Sequence, residues 1–291
     1  MPSQKSARLF HVEHFPFSGK NRIISAMDHK QKTTSAWIRL QYGSDANLMK
    51  RIRIHGYSVN KTGWGGWLFR KYRLRPGMRI LELGCGNALF WKDRFNLLPE
   101  GTTLCLSDIS SGMIRKARKN LGPDAKKITF KVFDVRKIPF KDRSFDMVIA
   151  NHMLYHVGNL PKTLKEIRRV LKPGGRFYCT TIGRNHMKEL MAWIKRFNIR
   201  SNLSGGAMAK NFGLENGRKF LSPFFRKISL LRYPDRLEVP RVRLILDYMA
   251  SAGDENPGPG IVKLKSYLKK ILLRKKTIRI SKDSGLFIAE T

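Results

Sequence analysis

The segment Arg79-Ile-Leu-Glu-Leu-Gly-Cys-Gly-Asn-Ala-Leu-Phe90 decides the fold of this chain. Residues 80–83 form a short apolar run, broken only by Glu82, that is typical of a buried parallel strand. The run ends at Gly84-Cys85-Gly86, where the missing Cβ atoms permit a tight turn and let a ligand touch the backbone. A helix is predicted from Asn87 onward, so its free N–H groups face the same ligand. The segment therefore predicts a ligand-binding turn between a strand and a helix.

The residues around this turn indicate which kind of ligand it accepts. Nicotinamide and flavin enzymes carry a third glycine at the start of the helix, because a pyrophosphate needs the space. This chain has Leu89 at that position, and Glu82 stands two residues before the first glycine. A carboxylate repels a pyrophosphate but suits an ammonium group. The pattern therefore favours a ligand without phosphates.

Four further motifs follow the glycine turn in a fixed order. The five together are Glu82-Leu-Gly-Cys-Gly-Asn87, Leu106-Ser-Asp108, Phe133-Asp-Val135, Phe145-Asp-Met-Val-Ile-Ala-Asn151 and Leu171-Lys-Pro-Gly-Gly-Arg-Phe177. This set resembles the class I S-adenosylmethionine-dependent methyltransferases, most closely the quinone-biosynthesis-like branch called methyltransferase type 11. Five ordered motifs are far harder to meet by chance than one glycine turn. The chain departs from the pattern at Ala88, where many relatives carry glycine.

The resemblance and the order of the elements predict an α/β fold. We expect a doubly wound, Rossmann-like, seven-stranded and mostly parallel sheet with a C-terminal antiparallel strand. Helical insertions at about 184–220 and 241–274 are expected to roof the active site. A flexible basic arm at 1–50, with a short helix at 34–42, would precede a methyltransferase domain at 51–291. Strands are predicted at 80–83, 103–106, 128–132, 145–150, 176–181, 227–233, 277–280 and 285–289.

The resemblance implies that S-adenosylmethionine is the cofactor, S-adenosylhomocysteine is the product and no metal is needed. Asp108 follows the second strand, where a carboxylate accepts hydrogen bonds from both ribose hydroxyls. The alternative is an N-cap for the following helix. In the family the position of Asp134 meets the adenine amino group and the next amide, that of Val135, meets a ring nitrogen. An aspartate turn before Pro139 is the alternative. The predicted cofactor-binding residues are Glu82, Gly84, Cys85, Gly86, Asp108, Ile109, Asp134, Val135 and Asn151.

The end of the fourth strand carries the candidate catalytic side chains. Open α/β sheets bind their ligands at this edge. His152, Tyr155 and His156 are predicted to orient or deprotonate the acceptor, because imidazole titrates near neutral pH. A purely structural role is the alternative. The aromatic- and glycine-rich residues 51–67 are expected to close over the ligand, and the candidates for lining the site there are Tyr57, Asn60 and Trp64.

The chain is strongly basic. Lys and Arg total 58 against 21 Asp and Glu, which gives a formal charge of +37. Such a surface attracts polyanions, including nucleic acid and anionic lipid. The basic residues are spread over every segment and form no basic tail or low-complexity run. Charge therefore permits a nucleic acid or another polyanion as a partner without specifying a function.

Cysteine use and hydropathy bear on the compartment. Cys85, Cys105 and Cys179 lie in three apolar runs without CxxC spacing, which indicates reduced thiols and not a disulfide or zinc framework. No apolar run approaches the roughly 20 residues that span a bilayer. We expect a cytoplasmic protein. The alternative is an organelle reached through the basic N-terminal segment. The oligomeric state stays open.

Three functions compete on these observations. The first is methyl transfer to a nucleophilic O, N or C atom of a small-molecule acceptor, and the sequence favours it. The second is an RNA or ribosome methyltransferase, which the charge favours. Against it, no Asn-Pro-Pro-Tyr motif and no Pro-Cys nucleophile follow the fourth strand. The third is a non-enzymatic binding relative, and the intact glycine turn with Asp108 and Asp134 argues against it.

Overall fold

The computed structural model of the 291-residue chain describes residues 46–201, 203, 207–252 and 258–291. The helix predicted at 34–42 lies outside the described residues, as does most of the predicted arm at 1–50. A helix over Ala46–His55 begins before the predicted boundary at residue 51.

A seven-stranded sheet forms the centre of the fold. Its strands are β1 (Arg79–Leu83), β2 (Thr103–Asp108), β3 (Thr129–Val132), β4 (Phe145–Asn151), β5 (Leu171–Ile182), β6 (Ile228–Tyr233) and β9 (Ser284–Glu290). They lie in the order β3-β2-β1-β4-β5-β9-β6. Strands β1 to β5 pair in parallel, and the C-terminal strand β9 is antiparallel to both β5 and β6. The predicted sheet, mostly parallel with a C-terminal antiparallel strand, is confirmed.

Helices cover both faces of this sheet because its strands are apolar on both sides. Along β1, Leu81 and Leu83 enter the core on one face, while Ile80 enters the core on the other. The described helices are α1 (Ala46–His55), α2 (Trp64–Phe69), α3 (Leu89–Lys92), α4 (Ser111–Leu121), α5 (Leu160–Val170), α6 (Lys188–Arg196), α7 (Met208–Asn211), α8 (Gly217–Leu221), α9 (Val242–Ala250) and α10 (Gly260–Lys275), with 3-10 turns at Phe95–Leu97, Gly122–Lys127 and Leu154–His156.

A second, two-stranded sheet corrects one sequence prediction. The strand predicted at 277–280 does not join the central sheet, because β8 (Ile278–Ser281) pairs with β7 (Arg236–Val239). Alternating apolar residues predict a strand but do not name its partner. The sequence also missed β7, which is short and follows β6 almost at once.

The small sheet and four helices share a third hydrophobic core, and we call this unit the cap. It consists of β7, β8, α1, α6, α9 and α10. Its core contains Ile54 of α1, Trp193 of α6, Ile245 of α9, Leu264 of α10 and Leu237 of β7. The two predicted insertions therefore share one hydrophobic core. Helix α6 of the first contributes to the same core as α9 and α10 of the second, while α7 packs beside the turn Leu154–His156.

Candidate active site

The glycine turn adopts a backbone that favours glycine. Gly84 and Gly86 have φ values of 66° and 57°, in the left-handed region where other residues are strained. A Cβ added to Gly84 would lie 3.0 Å from Met153 Cβ. Cys85 donates its N–H to the Ser107 carbonyl at 2.9 Å, which ties the turn to the end of β2. The backbone conformation of the turn therefore favours glycine at positions 84 and 86.

Asp108 accepts hydrogen bonds from the glycine turn and from the start of α4. Its Oδ2 accepts from Gly86 N at 3.0 Å, and its Oδ1 accepts from Ser110 N at 2.8 Å. Burial raises the pKa of Asp108, although the amides of Ser110, Gly86 and Ile109 oppose the shift. The N-cap of α4 is Ser110, which accepts from Met113 N, and not Asp108. A carboxylate offers about four lone-pair positions, so Asp108 keeps capacity for further donors.

Glu82 is the second carboxylate beside the turn. It points to the same face of β1 as Ile80 and is only 3% exposed. Trp91 Nε1 donates to its Oε2, and Asn151 Nδ2 donates to its Oε1 at 2.9 Å. Burial outweighs both bonds and raises the pKa of Glu82 to about 7, with the Asp108 charge adding to the effect. Within the described ranges, no Lys or Arg side chain forms an ion pair with Glu82 or Asp108.

Glu82→Gln is expected to have a higher free energy of unfolding than wild type, by a margin that grows as the pH rises. The pKa of Glu82 rises from an ordinary 4.5 to about 7 on folding, so the folded state holds the extra proton between these values. Wild-type stability therefore falls over this interval, by at most about 3 kcal/mol, and glutamine removes the dependence. Chemical denaturation at several pH values measures the gap between variant and wild type.

The matched control for this prediction is Glu100→Gln, which alters an exposed carboxyl. Its gap to wild type should stay constant from pH 5 to pH 8, to within about 0.5 kcal/mol. A constant gap for Glu82→Gln as well would contradict the raised pKa.

Asn151 connects the end of β4 to its two neighbouring strands. Its side chain bonds Glu82 of β1, and its Oδ1 accepts from Thr180 Oγ1 of β5 at 3.3 Å. The Tyr72 hydroxyl lies 3.2 Å from Asn151 Nδ2. Because β1 and β4 meet where the strand order reverses, this network lies at the crevice where doubly wound sheets bind ligands.

The structure brings the three predicted catalytic residues together. His152 has a left-handed φ of 50°, and its amide donates to the Thr180 carbonyl. Its ring centroid lies 6.5 Å from that of Tyr155, which lies 4.6 Å from that of His156. Burial lowers the pKa of His152 to about 4, with help from Lys282. Burial, with Arg51 and His152 adding, lowers the pKa of His156 to about 3. Both imidazoles are therefore neutral and weakly basic at pH 7.

Asp134 forms the turn that the sequence left as an alternative. Its Oδ1 accepts from Arg136 N at 2.9 Å, which makes an aspartate turn. The Arg136 guanidinium also binds the carboxylate, with Nη2 to Oδ2 at 2.6 Å. Val135 is partly buried against the central core. Arg136 thus already occupies both oxygens of Asp134, the residue predicted to meet adenine.

Helix α1 covers the glycine turn. Leu48 Cδ2 lies 3.7 Å from the Cβ position of Gly86, and Met49 Sδ lies 3.7 Å from Asn87 Nδ2. The sequence expected a covering segment at 51–67, whereas these contacts come from the first turn of α1. Trp64 also reaches the site, with its ring 5.2 Å from that of His152.

Sequence reasoning missed a buried ion pair beside the aromatic side chains. Lys282 Nζ lies 2.8 Å from Asp235 Oδ2, and their side chains are 6% and 0% exposed. Ser58 Oγ and Asn60 N also donate to Asp235. The Lys282 ammonium lies 5.3 Å from the Tyr233 ring, which lies 5.2 Å from Trp64. Asp235 and Lys282 stand in short polar turns, so no local pattern in the sequence marked them as buried.

Of the remaining candidates, Tyr57 packs against the core of the cap. Burial raises the pKa of the Cys85 thiol well above its ordinary value. Among the described residues, no group of three or more His, Cys, Asp or Glu side chains is arranged to hold a metal ion. In the same part of the chain, no helix is long and apolar enough to cross a membrane.

Comparison with known proteins identifies a domain within the chain. Residues 81–179 match the family Methyltransf_11, described as a methyltransferase domain. The chain contains a class I methyltransferase domain of the type 11 branch. The match runs from Leu81 in β1 to Cys179 in β5, and thus includes the glycine turn, Asp108 and Asn151. The family predicted from the five motifs is confirmed.

Two curated relatives align with the methyltransferase domain. Demethylmenaquinone methyltransferase of Symbiobacterium thermophilum is 36% identical over 122 residues, which are 40% of this chain and 48% of that protein. Malonyl-[acyl-carrier protein] O-methyltransferase of Erwinia pyrifoliae is 33% identical over 123 residues, which are 40% of this chain and 43% of that protein. The chain thus spans about half the length of these relatives.

Among solved structures, phosphoethanolamine N-methyltransferase 2 of Haemonchus contortus was determined in complex with S-adenosyl-L-methionine. It aligns with a TM-score of 0.53 at 17% identity and covers 95% of this chain and 61% of that one. This likeness shows the fold of the methyltransferase domain.

Proposed function

We propose that this chain is an S-adenosylmethionine-dependent methyltransferase that moves a methyl group to a nucleophilic O, N or C atom of a small-molecule acceptor. The observation that carries the proposal is the pair of carboxylates, Glu82 and Asp108, beside a glycine turn and without a cationic partner among the described residues. A ligand with ammonium and sulfonium charges and no phosphate neutralises such a site.

Residues of the glycine turn and of the neighbouring strand ends have separate roles in this proposal. Gly84 and Gly86 permit the left-handed turn beside the ligand, and Asp108 accepts from the ribose hydroxyls through its remaining lone pairs. Glu82, held by Asn151, attracts the ammonium group. The resemblance assigns the adenine ring to Asp134 and the Val135 amide, which requires Arg136 to release part of the Asp134 carboxylate. When bound, the cofactor supplies a methyl group on an already activated sulfur.

The acceptor would lie between the carboxyl edge of the sheet and the cap. Aromatic rings surround this region: His152 and Tyr155 from the sheet edge, Trp64 from α2, and Tyr233 from the end of β6. Such walls exclude water and orient a flat acceptor, so that alignment supplies most of the rate. Two relatives support a small acceptor group as the substrate class, because one is a demethylmenaquinone methyltransferase and the other is a malonyl-[acyl-carrier protein] O-methyltransferase.

At saturating cofactor and acceptor, the pH profile of kcat is expected to show no inflection from a histidine between about pH 5.5 and 7.5. The reason is that the pKa of His152 is about 4 and that of His156 is about 3, instead of the ordinary 6.5. A pH profile of kcat measures this. The control is His152→Asn, since asparagine tolerates the left-handed backbone. An inflection near 6.5 in wild type that disappears in His152→Asn would refute the prediction.

An assay of S-adenosylhomocysteine formation tests the proposed reaction. The purified protein, freed of nucleic acid, is supplied with S-adenosylmethionine and with fractions of a cell extract. We expect product with the small-molecule fraction, and we expect ribonuclease treatment to leave it unchanged. Product only with the RNA fraction, lost on ribonuclease treatment, would overturn the small-molecule acceptor.

The compartment is part of the same proposal. Cys85, Cys105 and Cys179 are free thiols, and the last two are buried in the sheet. Free thiols support a reducing compartment such as the cytoplasm.

A further inference from the structure

Helix α10 has two different faces. Its sequence, GIVKLKSYLKKILLRK, contains no acidic residue. Leu264 and Leu268 are fully buried in the core of the cap, and they fix the inner face of the helix. The opposite face is exposed along the whole length of the helix.

The exposed face is densely cationic. Its basic residues, with the residue that follows the helix, are Lys263, Lys265, Lys269, Lys270, Arg274, Lys275 and Lys276, and all are exposed. Within the described ranges, no carboxylate lies at ion-pair distance from any of these seven side chains. Elsewhere on the cap, Arg243 and Arg279 do have acidic partners. The positive charge of α10 is therefore not neutralised by the described part of the protein.

Two large apolar side chains stand within this cationic face. Val262 is 64% exposed and Leu273 is 86% exposed, which makes them the two most exposed apolar residues described. They are eleven positions apart, about three helical turns or roughly 16 Å, so both project in nearly the same direction. Lys265 and Lys269 flank this line on one side, and Lys263 and Lys270 flank it on the other.

We propose that α10 docks the protein on an anionic lipid surface. A helix that presents apolar tips between rows of lysine lies in the plane of a bilayer interface, with the tips in the headgroup boundary and the ammonium groups at the phosphates. Sixteen residues with this many cations do not cross a bilayer, so the contact is peripheral. Nucleic acid explains the lysines but not the exposed Val262 and Leu273, since single strands are bound by stacking on aromatic rings.

Vesicle sedimentation of the full chain, freed of nucleic acid, tests this proposal without any activity readout. We expect binding to vesicles containing about one-third phosphatidylglycerol and little binding to phosphatidylcholine alone. Raising the salt from about 0.1 M to 0.5 M should weaken the binding. The triple variant Lys265→Gln/Lys269→Gln/Lys270→Gln should lower the partition coefficient at least about tenfold. The control Lys92→Gln/Lys119→Gln/Lys126→Gln removes three exposed charges outside the cap. It should lower the partition coefficient less than about threefold.

The apolar tips are tested separately. Val262→Ser/Leu273→Ser should lower the partition coefficient about fivefold or more, whereas Leu97→Ser, which alters another exposed leucine, should leave it unchanged. Equal losses in the two lysine triples would overturn the proposal, because net charge alone would then explain binding. Wild-type binding of vesicles by Val262→Ser/Leu273→Ser would also overturn it. So would a protein that does not bind vesicles but binds RNA through α10.

Discussion

Replacing Asp108 by alanine is expected to weaken the binding of S-adenosylmethionine at least about a hundredfold. The carboxylate receives Gly86 N and Ser110 N and keeps lone pairs for two ribose hydroxyls. Each hydrogen bond to a charged acceptor contributes roughly 1.5–3 kcal/mol, and 1.4 kcal/mol is a factor of ten in affinity. Calorimetric titration of the variant with the cofactor measures the loss.

Two controls accompany this variant. Asp142→Ala removes a carboxylate whose side chain is 70% exposed at the amino end of β4, and it should bind as wild type does. Thermal unfolding of Asp108→Ala shows whether the fold survives the loss of two amide bonds. Wild-type affinity in a folded Asp108→Ala protein would refute the placement of the cofactor site.

Lys282→Met is expected to lower the free energy of unfolding by about 3–5 kcal/mol at pH 7. The substitution leaves the Asp235 carboxylate buried without its cation. Burial alone would raise the pKa of Asp235, but the bonds from Lys282 and Ser58 outweigh it and hold the pKa below its ordinary value. Denaturant titration measures the loss, and Lys282→Met/Asp235→Leu should recover much of it because no unpaired charge remains.

The pH dependence of this effect has a definite sign. In wild type, Asp235 contributes stability above its unfolded pKa, and this contribution is lost as the pH falls through the lower folded pKa. In Lys282→Met the unpaired carboxylate can take up a proton, so the deficit should shrink as the pH falls from 7 towards about 4. Lys227→Met, which breaks a contact of an 87% exposed lysine with Glu290, should cost less than about 1 kcal/mol. A deficit of the same small size in Lys282→Met would contradict the buried pair.

The sequence predicted the central sheet because its signals are local. An apolar run followed by Gly84 and Gly86 specifies a strand and a turn wherever it occurs. At Ala88, where many members of the resembled family carry glycine, the φ of 55° lies in the left-handed region that favours glycine. The residues at the ends of β2 and β4 then follow from the parallel order of the strands.

The cap was not predictable in the same way, because it depends on pairings between distant segments. Ile278 and Ile280 alternate as in any strand, but only the tertiary structure shows that β8 pairs with β7. The protonation state of the histidines depends on burial, and the residue type alone does not show how deeply a side chain is buried. The sequence suggested imidazoles that titrate near neutral pH, and the structure lowers the pKa of His152 to about 4.

The most direct test of the proposed function is calorimetric titration of the purified wild-type protein, freed of nucleic acid, with S-adenosylmethionine and with S-adenosylhomocysteine. The carboxylates Glu82 and Asp108 at the glycine turn predict micromolar binding of at least one of them. Absence of heat with both ligands, in a protein shown to be folded, would contradict the cofactor site and leave a methyltransferase fold that acts by binding alone.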